Sequence, residues 1–265
     1  MIKKNPSHLF IPDCQVTVGV NTDHLEALGH YIVAKQPEVI VNIGDFWDMS
    51  SLSSYDKPGS KTMEGQRYLE DIRCGNDAMD RLMAPIEAYN SHKRALKEKQ
   101  YKPRLVFCMG NHEYRINRAM ENDAKLDGVL SLDHFNLAKY KWEVHPFLEI
   151  ATIDGINYSH YFVNPSGLTG MPIGGTVANK LNHLACSFAM GHQQTFQYGI
   201  KYAGDGTEMH GLVCGSFYSH DEDYLGPQKN KQYWRGVAML NDVRDGKYDI
   251  CKVSLDYLLR KYYNV

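Results

Sequence analysis

Three times this chain runs from a short, largely apolar stretch straight into a glycine and a group of coordinating side chains. "VIVNIGDFWD" does so from Val39 to Asp48, "RLVFCMGNHE" from Arg104 to Glu113, and "CSFAMGHQQ" from Cys186 to Gln194. "HLFIPDCQ" repeats the pattern without the glycine. Apolar runs this short that do not alternate with polar residues read as strands covered on both faces, and such strands belong to sheets packed between other layers. In an α/β sheet the strand ends and the loops after them meet at one edge, where such folds carry their sites. A blander reading exists for "GNHEYR", with Asn111 as a helix N-cap and Glu113 in the first turn. The recurrence of the same ending on several strands argues against it.

The segments between these runs have helical spacing. Thr22 to Lys35 places Leu25, Leu28, Ile32 and Val33 on one face. Met63 to Gln100 is polar and charged, with Ile72, Met79, Leu82, Met83 and Ile86 marking one side; it reads as one or two helices, with breaks expected near Gly75 or Pro85. This β-α-β alternation predicts a sheet with parallel strands and covering helices. Beyond Asp127 the pieces become shorter and β-like, and "NDVRDGKYDI" turns at Asp245-Gly246 as a hairpin does. "PSGLTGMPIGGT", Pro165 to Thr176, reads as a glycine-rich surface connection into a short helix from Val177 to Leu184, because no G-x-x-x-x-G-K-[ST] is present. The end of the chain, "LDYLLRKYYNV", has helical apolar spacing expected to dock on the protein's own core.

Composition narrows the class. In 265 residues, 43% are hydrophobic, enough to fill a substantial core, and a single domain over 1–265 with a polar helical insertion at about 60–100 is expected. A formal net charge of -2 provides no global field for nucleic acid, although "SHKRALKEKQYKPR" and "GPQKNKQYWRG" interleave basic and aromatic residues. Such charge runs are more often solvated faces. Six widely spaced cysteines form no C-x-x-C pair and read as reduced thiols. The opening "MIKKNPSHLF" lacks the apolar core of a signal peptide, and nothing approaches the roughly 18 apolar residues of a membrane span. A cytoplasmic protein with no membrane partner is expected.

Taken in order, Asp13 and Gln15, Asp45 and Asp48, Asn111 and His112, His160 in "NYSHYF", and His192 and Gln194 form a set. This set resembles the calcineurin-like metallophosphoesterase superfamily, whose pattern is D-x-H, G-D-x-x-D, G-N-H-[ED], a lone His and G-H-x-H. The resemblance runs from Asp13 to Gln194, about two thirds of the chain. Its overall organisation looks like that of phage-encoded members, which would place it in a host cytoplasm. The resemblance implies a four-layer α/β/β/α sandwich with mixed sheets, the β-rich remainder of the chain supplying the second sheet. It also implies two divalent metals about 3.5–4 Å apart holding a hydroxide that attacks phosphorus. Asp45 would bridge; Asn111, His160 and His192 would complete one metal, and Asp13, Gln15 and Gln194 the other. His112 would protonate the leaving oxygen or stabilise the transition state, with Asp48 fixing its tautomer. Arg115, one helical turn before Arg118, would contact phosphate.

The chain departs from the pattern at two points of one metal site, where "DCQ" and "GHQQ" put glutamine for histidine. An amide oxygen is a harder and weaker donor than imidazole, so this site is expected to take Mn²⁺ or Mg²⁺, with Mn²⁺ the leading ion overall and Fe or Zn alternatives at the other position. Met49 stands where protein Ser/Thr phosphatases carry an arginine, which disfavours a protein substrate. The expected activity is a metal-dependent phosphoesterase acting on phosphate esters, with diesters such as nucleotides or nucleic acid ahead. Phosphomonoesterase activity, and a non-catalytic interaction module with an impaired first metal site, remain as alternatives.

Overall fold

The computed structural model describes residues 5–54, 60, 63–164, 170–221 and 226–263. Part of the glycine-rich connection, residues 165–169, and the start of the polar insertion at 61–62 lie outside the described residues. Two mixed sheets form the centre. The first has the order β11-β10-β1-β2-β3-β4, built from β1 (His8–Ile11), β2 (Val39–Asn42), β3 (Arg104–Cys108), β4 (Glu143–His145), β10 (Gly236–Arg244) and β11 (Lys247–Ser254). The second has the order β5-β6-β7-β9-β8, from β5 (Ala151–Ile153), β6 (Ile156–Tyr158), β7 (Phe188–Met190), β8 (Phe196–Tyr202) and β9 (Glu208–Cys214).

Strand side chains alternate between faces, and the apolar runs therefore feed two different interfaces. Leu9, Ile11, Ile40 and Phe107 pack outward with Leu25 and Leu28 of α1 (Asp23–Lys35), Met79 and Leu82 of α2 (Tyr68–Ala95) and Leu258 of α6 (Leu255–Tyr263). Phe10, Val39, Val41, Val106 and Cys108 point the other way, onto Ile153, Ile156, Tyr158, Ala189 and Leu212 of the second sheet. Phe188, Met190, Met209 and Val213 then meet Val177 and Leu181 of α4 (Val177–Leu184) on the far side. Helices, sheet, sheet and helix make the four-layer α/β/β/α sandwich expected, and the interior layers explain why the strands read as largely apolar runs. The remaining helices are α3 (Arg115–Asn122) and the short α5 (Gly226–Asn230).

Three features sharpen or correct the sequence reading. The polar segment forms one unbroken helix, α2, although Pro85 lies inside it. The proline ring fits because α1 offers Gly29 there, where a Cβ would come within 2.8 Å of Pro85 Cγ. The C-terminal hairpin does not extend the second sheet. It returns to the first, β10 pairing antiparallel with β1 (His8↔Leu240, Phe10↔Ala238) and covering an edge that would otherwise be open. Helix α3 begins at Arg115, its N-cap residue is Tyr114, and no side chain caps it; Asn111 and Glu113 are engaged elsewhere. The C-terminal segment does dock on its own core: Leu258 is fully buried and the Tyr263 hydroxyl donates to Glu26 of α1 at 2.8 Å.

β1, β2 and β3 are mutually parallel, and so are β6 and β7. Five carboxyl-terminal strand ends thus open onto one region. Backbone contacts bind them together: Gln15 N–H donates to the Asp45 carbonyl at 2.8 Å and Gly191 N–H to that of His160 at 3.2 Å.

Candidate metal centre

The expected site residues come together at these strand ends. The Asp45 carboxylate is nearly inaccessible; its Oδ1 accepts the His112 backbone N–H at 2.9 Å, and Oδ2 lies 3.2 Å from His160 Nε2 and 3.6 Å from His112 Nε2. His160 Nε2 is also 2.9 Å from Asn111 Oδ1, while its Nδ1 is 2.9 Å from the Ile43 carbonyl. A carbonyl only accepts, so Nδ1 carries a proton and donates to it. In the neutral ring Nε2 is then a lone pair, facing an amide oxygen and a carboxylate oxygen that are acceptors too. Ligand atoms of Asp45, His160 and His192 all lie within 4.8 Å of one another. Across from them Asp13, fully buried, accepts the His192 backbone N–H at 3.0 Å. Gln15, 4% exposed, has an Oε1 with no hydrogen-bond partner. Gln194 is also buried, and its Oε1 accepts the Tyr218 hydroxyl.

The electrostatics match this crowding of acceptors. Burial works against a charged His160, yet the Asp45 and Asp13 carboxylates outweigh it and lift the ring to about 9. A proton can hold the facing acceptors together where no cation does. Burial and the neighbouring His160 push His192 down to about 4, leaving it neutral and able to ligate. Burial raises Asp13 to about 7, Asp45's charge adding to the shift. Burial also opposes the ionised Asp45, but His112 and His160 hold its carboxyl far below the usual carboxylate range.

The glycines before the polar groups have a steric cause. A Cβ on Gly110 would fall 2.1 Å from Asp45 Oδ1, and one on Gly191 would fall 2.2 Å from Asp13 Oδ1. Four of the expected ligands, Gln15 (φ +40°), Asp45 (+48°), His192 (+65°) and Gln194 (+57°), adopt left-handed backbone without being glycine. Such conformations persist where surrounding structure over-determines them, and they gather at functional sites.

His112 and Asp48 form the expected pair, with Nδ1 2.7 Å from Asp48 Oδ1. Burial disfavours the charged ring, but Asp45's charge and this hydrogen bond prevail and raise His112 above its ordinary value. Arg115 is brought beside them and is only 6% exposed. Its Nη1 donates to the carbonyls of Asp48 (2.9 Å) and Met49 (3.3 Å), and its Nη2 lies 3.2 Å from His112 Nε2.

Two participants lie outside the expected set of site residues. Glu113, fully buried, accepts four backbone N–H groups: Oε2 from Asp45 (2.8 Å) and Gly110 (2.9 Å), Oε1 from Phe46 (2.8 Å) and Trp47 (3.1 Å). It laces the loop after β2 to the loop after β3. Tyr218, 24 residues beyond Gln194, orients that amide from a segment following β9. Only the position of Glu113 next to "GNH" hinted at its role, and nothing marked Tyr218.

No family model and no curated protein sequence matches the chain. Among solved structures it is similar to Yfce, described as a phosphoesterase from E. coli, at 12% identity over 94% of this chain and 99% of that one, TM-score 0.37. It is also similar to a structure described as a dimetal phosphatase from Danio rerio, at 12% identity over 96% of this chain and 97% of the other, TM-score 0.44.

Proposed function

We infer that this protein is a metal-dependent phosphoesterase of the calcineurin-like metallophosphoesterase type, formed by the chain as one domain and acting on phosphodiesters. The observation that carries the reading is the convergence of three atoms able to ligate, His160 Nε2, Asn111 Oδ1 and Asp45 Oδ2, with Gln15 Oε1 buried and unpartnered nearby. Ligand atoms gathered so closely can exchange the proton on His160 for a cation between them. The residues fit two divalent ions. Asp45, Asn111, His160 and His192 would hold one; Asp13, Gln15, Gln194 and a shared Asp45 would hold the other, through oxygen alone. An oxygen-only set favours Mn²⁺ or Mg²⁺ over zinc.

When bound, the ions supply Lewis acidity to a phosphoryl oxygen and activate water at neutral pH. The side chains do the rest. Asp48 accepts the His112 Nδ1 proton, which leaves Nε2 as the nitrogen turned towards the substrate. In its protonated form that ring delivers a proton to the leaving oxygen. Arg115 fixes the loop at Asp48 and Met49 through Nη1 and offers Nη2 beside His112 to a phosphate oxygen. With Nη1 held by two carbonyls, Nη2 is the terminal nitrogen left for phosphate, which serves a diester's two terminal oxygens better than a monoester's three.

The test is turnover of bis-p-nitrophenyl phosphate, p-nitrophenyl phosphate and single-stranded DNA by purified protein with Mn²⁺, beside His112→Ala, together with anomalous scattering from a crystal grown in Mn²⁺. Diester cleavage lost in His112→Ala, with two manganese peaks at the residues named, is expected. No metal-dependent turnover of any ester would favour a non-catalytic module, and faster monoester cleavage would reverse the substrate ranking. Tightly bound zinc at both positions would overturn the metal assignment.

A further inference from the structure

Beside His192 of the metal centre begins a chain of three aromatic rings in contact. Tyr161 lies 4.9 Å ring to ring from His192, Phe147 meets Tyr161 edge-on at 5.6 Å, and Tyr114 stacks on Phe147 at 4.9 Å with 24° between planes. The three rings come from separate segments: the turn before α3, the connection from β4 to β5, and the loop after β6. None is sealed in the core. All three are half-buried, whereas Tyr158 and Phe188 are fully buried. Phe147 precedes Leu148, a non-glycine residue at φ +67°, so a strained turn presents the ring. Near Tyr114 lie charges of both signs on α3: Glu121, which accepts the Tyr114 hydroxyl at 3.2 Å, and the half-buried Arg118 one helical turn on.

Rings left partly in water beside a reactive centre, two of them near-parallel and the third edge-on to Phe147, are placed to receive another flat ring. We propose that Tyr161, Phe147 and Tyr114 form a stacking surface for the nucleobase beside the reacting phosphate, so that the substrate is a nucleoside phosphodiester with an unpaired base. This rests on the phosphoesterase reading, which supplies the reacting phosphate, and it adds the group that the site recognises. Stacking on side chains needs an exposed base face, which a free nucleotide or a single strand offers and a duplex interior does not. Every base has such a face, so tolerance of base identity is expected.

Two readouts separate this claim from the reading beneath it. The first compares thymidine 5′-(p-nitrophenyl phosphate) with methyl p-nitrophenyl phosphate in Mn²⁺, two diesters sharing one leaving group. The nucleoside ester should have the higher kcat/KM, by about 5- to 150-fold for one stacked base. Phe147→Leu and Tyr114→Leu should bring that ratio down towards one, their unfolding midpoints showing which variant is folded. A merely structural role would lower both esters together and leave the ratio intact. The second readout needs neither turnover nor metal: quenching of 2-aminopurine fluorescence as protein binds the mononucleotide, a single-stranded tetranucleotide or the same probe within a duplex. Quenching of either unpaired probe, weakened in the variants and absent for the duplex, is expected, and the first two arms tell nucleotide from strand. If neither ester is cleaved, the phosphoesterase reading fails while the quenching still judges the stacking surface. The proposal is overturned by a native ratio near one, by a ratio unchanged in the folded variants, or by probes that quench nowhere or equally in the duplex.

Discussion

Replacing Glu113 with Gln exchanges one carboxylate oxygen for an amide NH₂ at a point where four backbone N–H groups converge. Whichever way the amide turns, two of those donors face another donor. If Oε1 becomes nitrogen, Phe46 and Trp47 lose their acceptor; if Oε2 does, Asp45 and Gly110 lose theirs. A buried donor left without a partner costs about 1–3 kcal/mol, so the pair costs about 2–6 kcal/mol. Removing the charge returns part of this, because burial and the Asp45 carboxylate already push the Glu113 carboxyl above its usual range. A net loss of about 2–4 kcal/mol remains, large against the roughly 5–15 kcal/mol that holds a typical domain folded. Urea denaturation of metal-free protein measures it. With a slope of about 3 kcal/mol per molar, the midpoint should fall by about 1 M with the slope unchanged. Because the same bonds set the backbone of Asp45, Mn²⁺ affinity by calorimetry should fall about 10- to 100-fold, as for other losses of support behind a metal ligand. A Gln variant within about 0.5 kcal/mol of the parent, or one that binds Mn²⁺ equally well, would refute the claim that this carboxylate organises the two loops.

His24 gives the fold a pH dependence of its own. Burial lowers its pKa to about 4, below the value of about 6.5 it has when unfolded, so stability is complete above that value and falls with acid between the two; the full loss is about 3 kcal/mol. Urea midpoints at pH 7 and 4.5 should differ less for His24→Gln than for the parent, and an equal difference would show that His24 is not responsible. Gly191→Ala places a methyl against Asp13 Oδ1, so at least one metal should be lost from crystals soaked in Mn²⁺; two intact sites would contradict the steric argument. Gln15→His with Gln194→His should shift the oxygen-only site towards zinc, read as the Zn²⁺ to Mn²⁺ ratio retained after dialysis.

What could be read beforehand followed from local chemistry. A strand covered on both faces writes itself as an apolar run, and coordinating or titratable side chains stand directly after the runs, so the candidate site residues Asp13, Asp45, Asn111, His112 and His192 could be picked out from neighbouring residues alone. His160 required the resemblance, because a single histidine after a weak strand carries little by itself. Other features depend on partners far along the chain. Nothing near Asp245 records that the hairpin pairs with β1 rather than with its neighbours in sequence. Pro85 is accommodated by a glycine 56 residues earlier on another helix. Asn111 and Glu113 have the composition of a helix start, but tertiary hydrogen bonds take both side chains, a competition that local preference cannot rank.

The proposed ligands are drawn from both sheets, from Asp13 on the first to Gln194 on the second, and the inter-sheet layer of Phe10, Ile156 and Leu212 lies between them. If the proposed ligand set holds metal, binding of the ion and packing of the two sheets would be a single thermodynamic linkage. An ion that binds only the folded form would add stability as RT ln(1 + [L]/Kd), about 2.7 kcal/mol at a hundredfold excess over Kd. A cavity cut into that layer, far from any ligand, would then be masked at high Mn²⁺ and exposed by a chelator, which would make the ion's own cell-like concentration a determinant of how much core damage the protein tolerates.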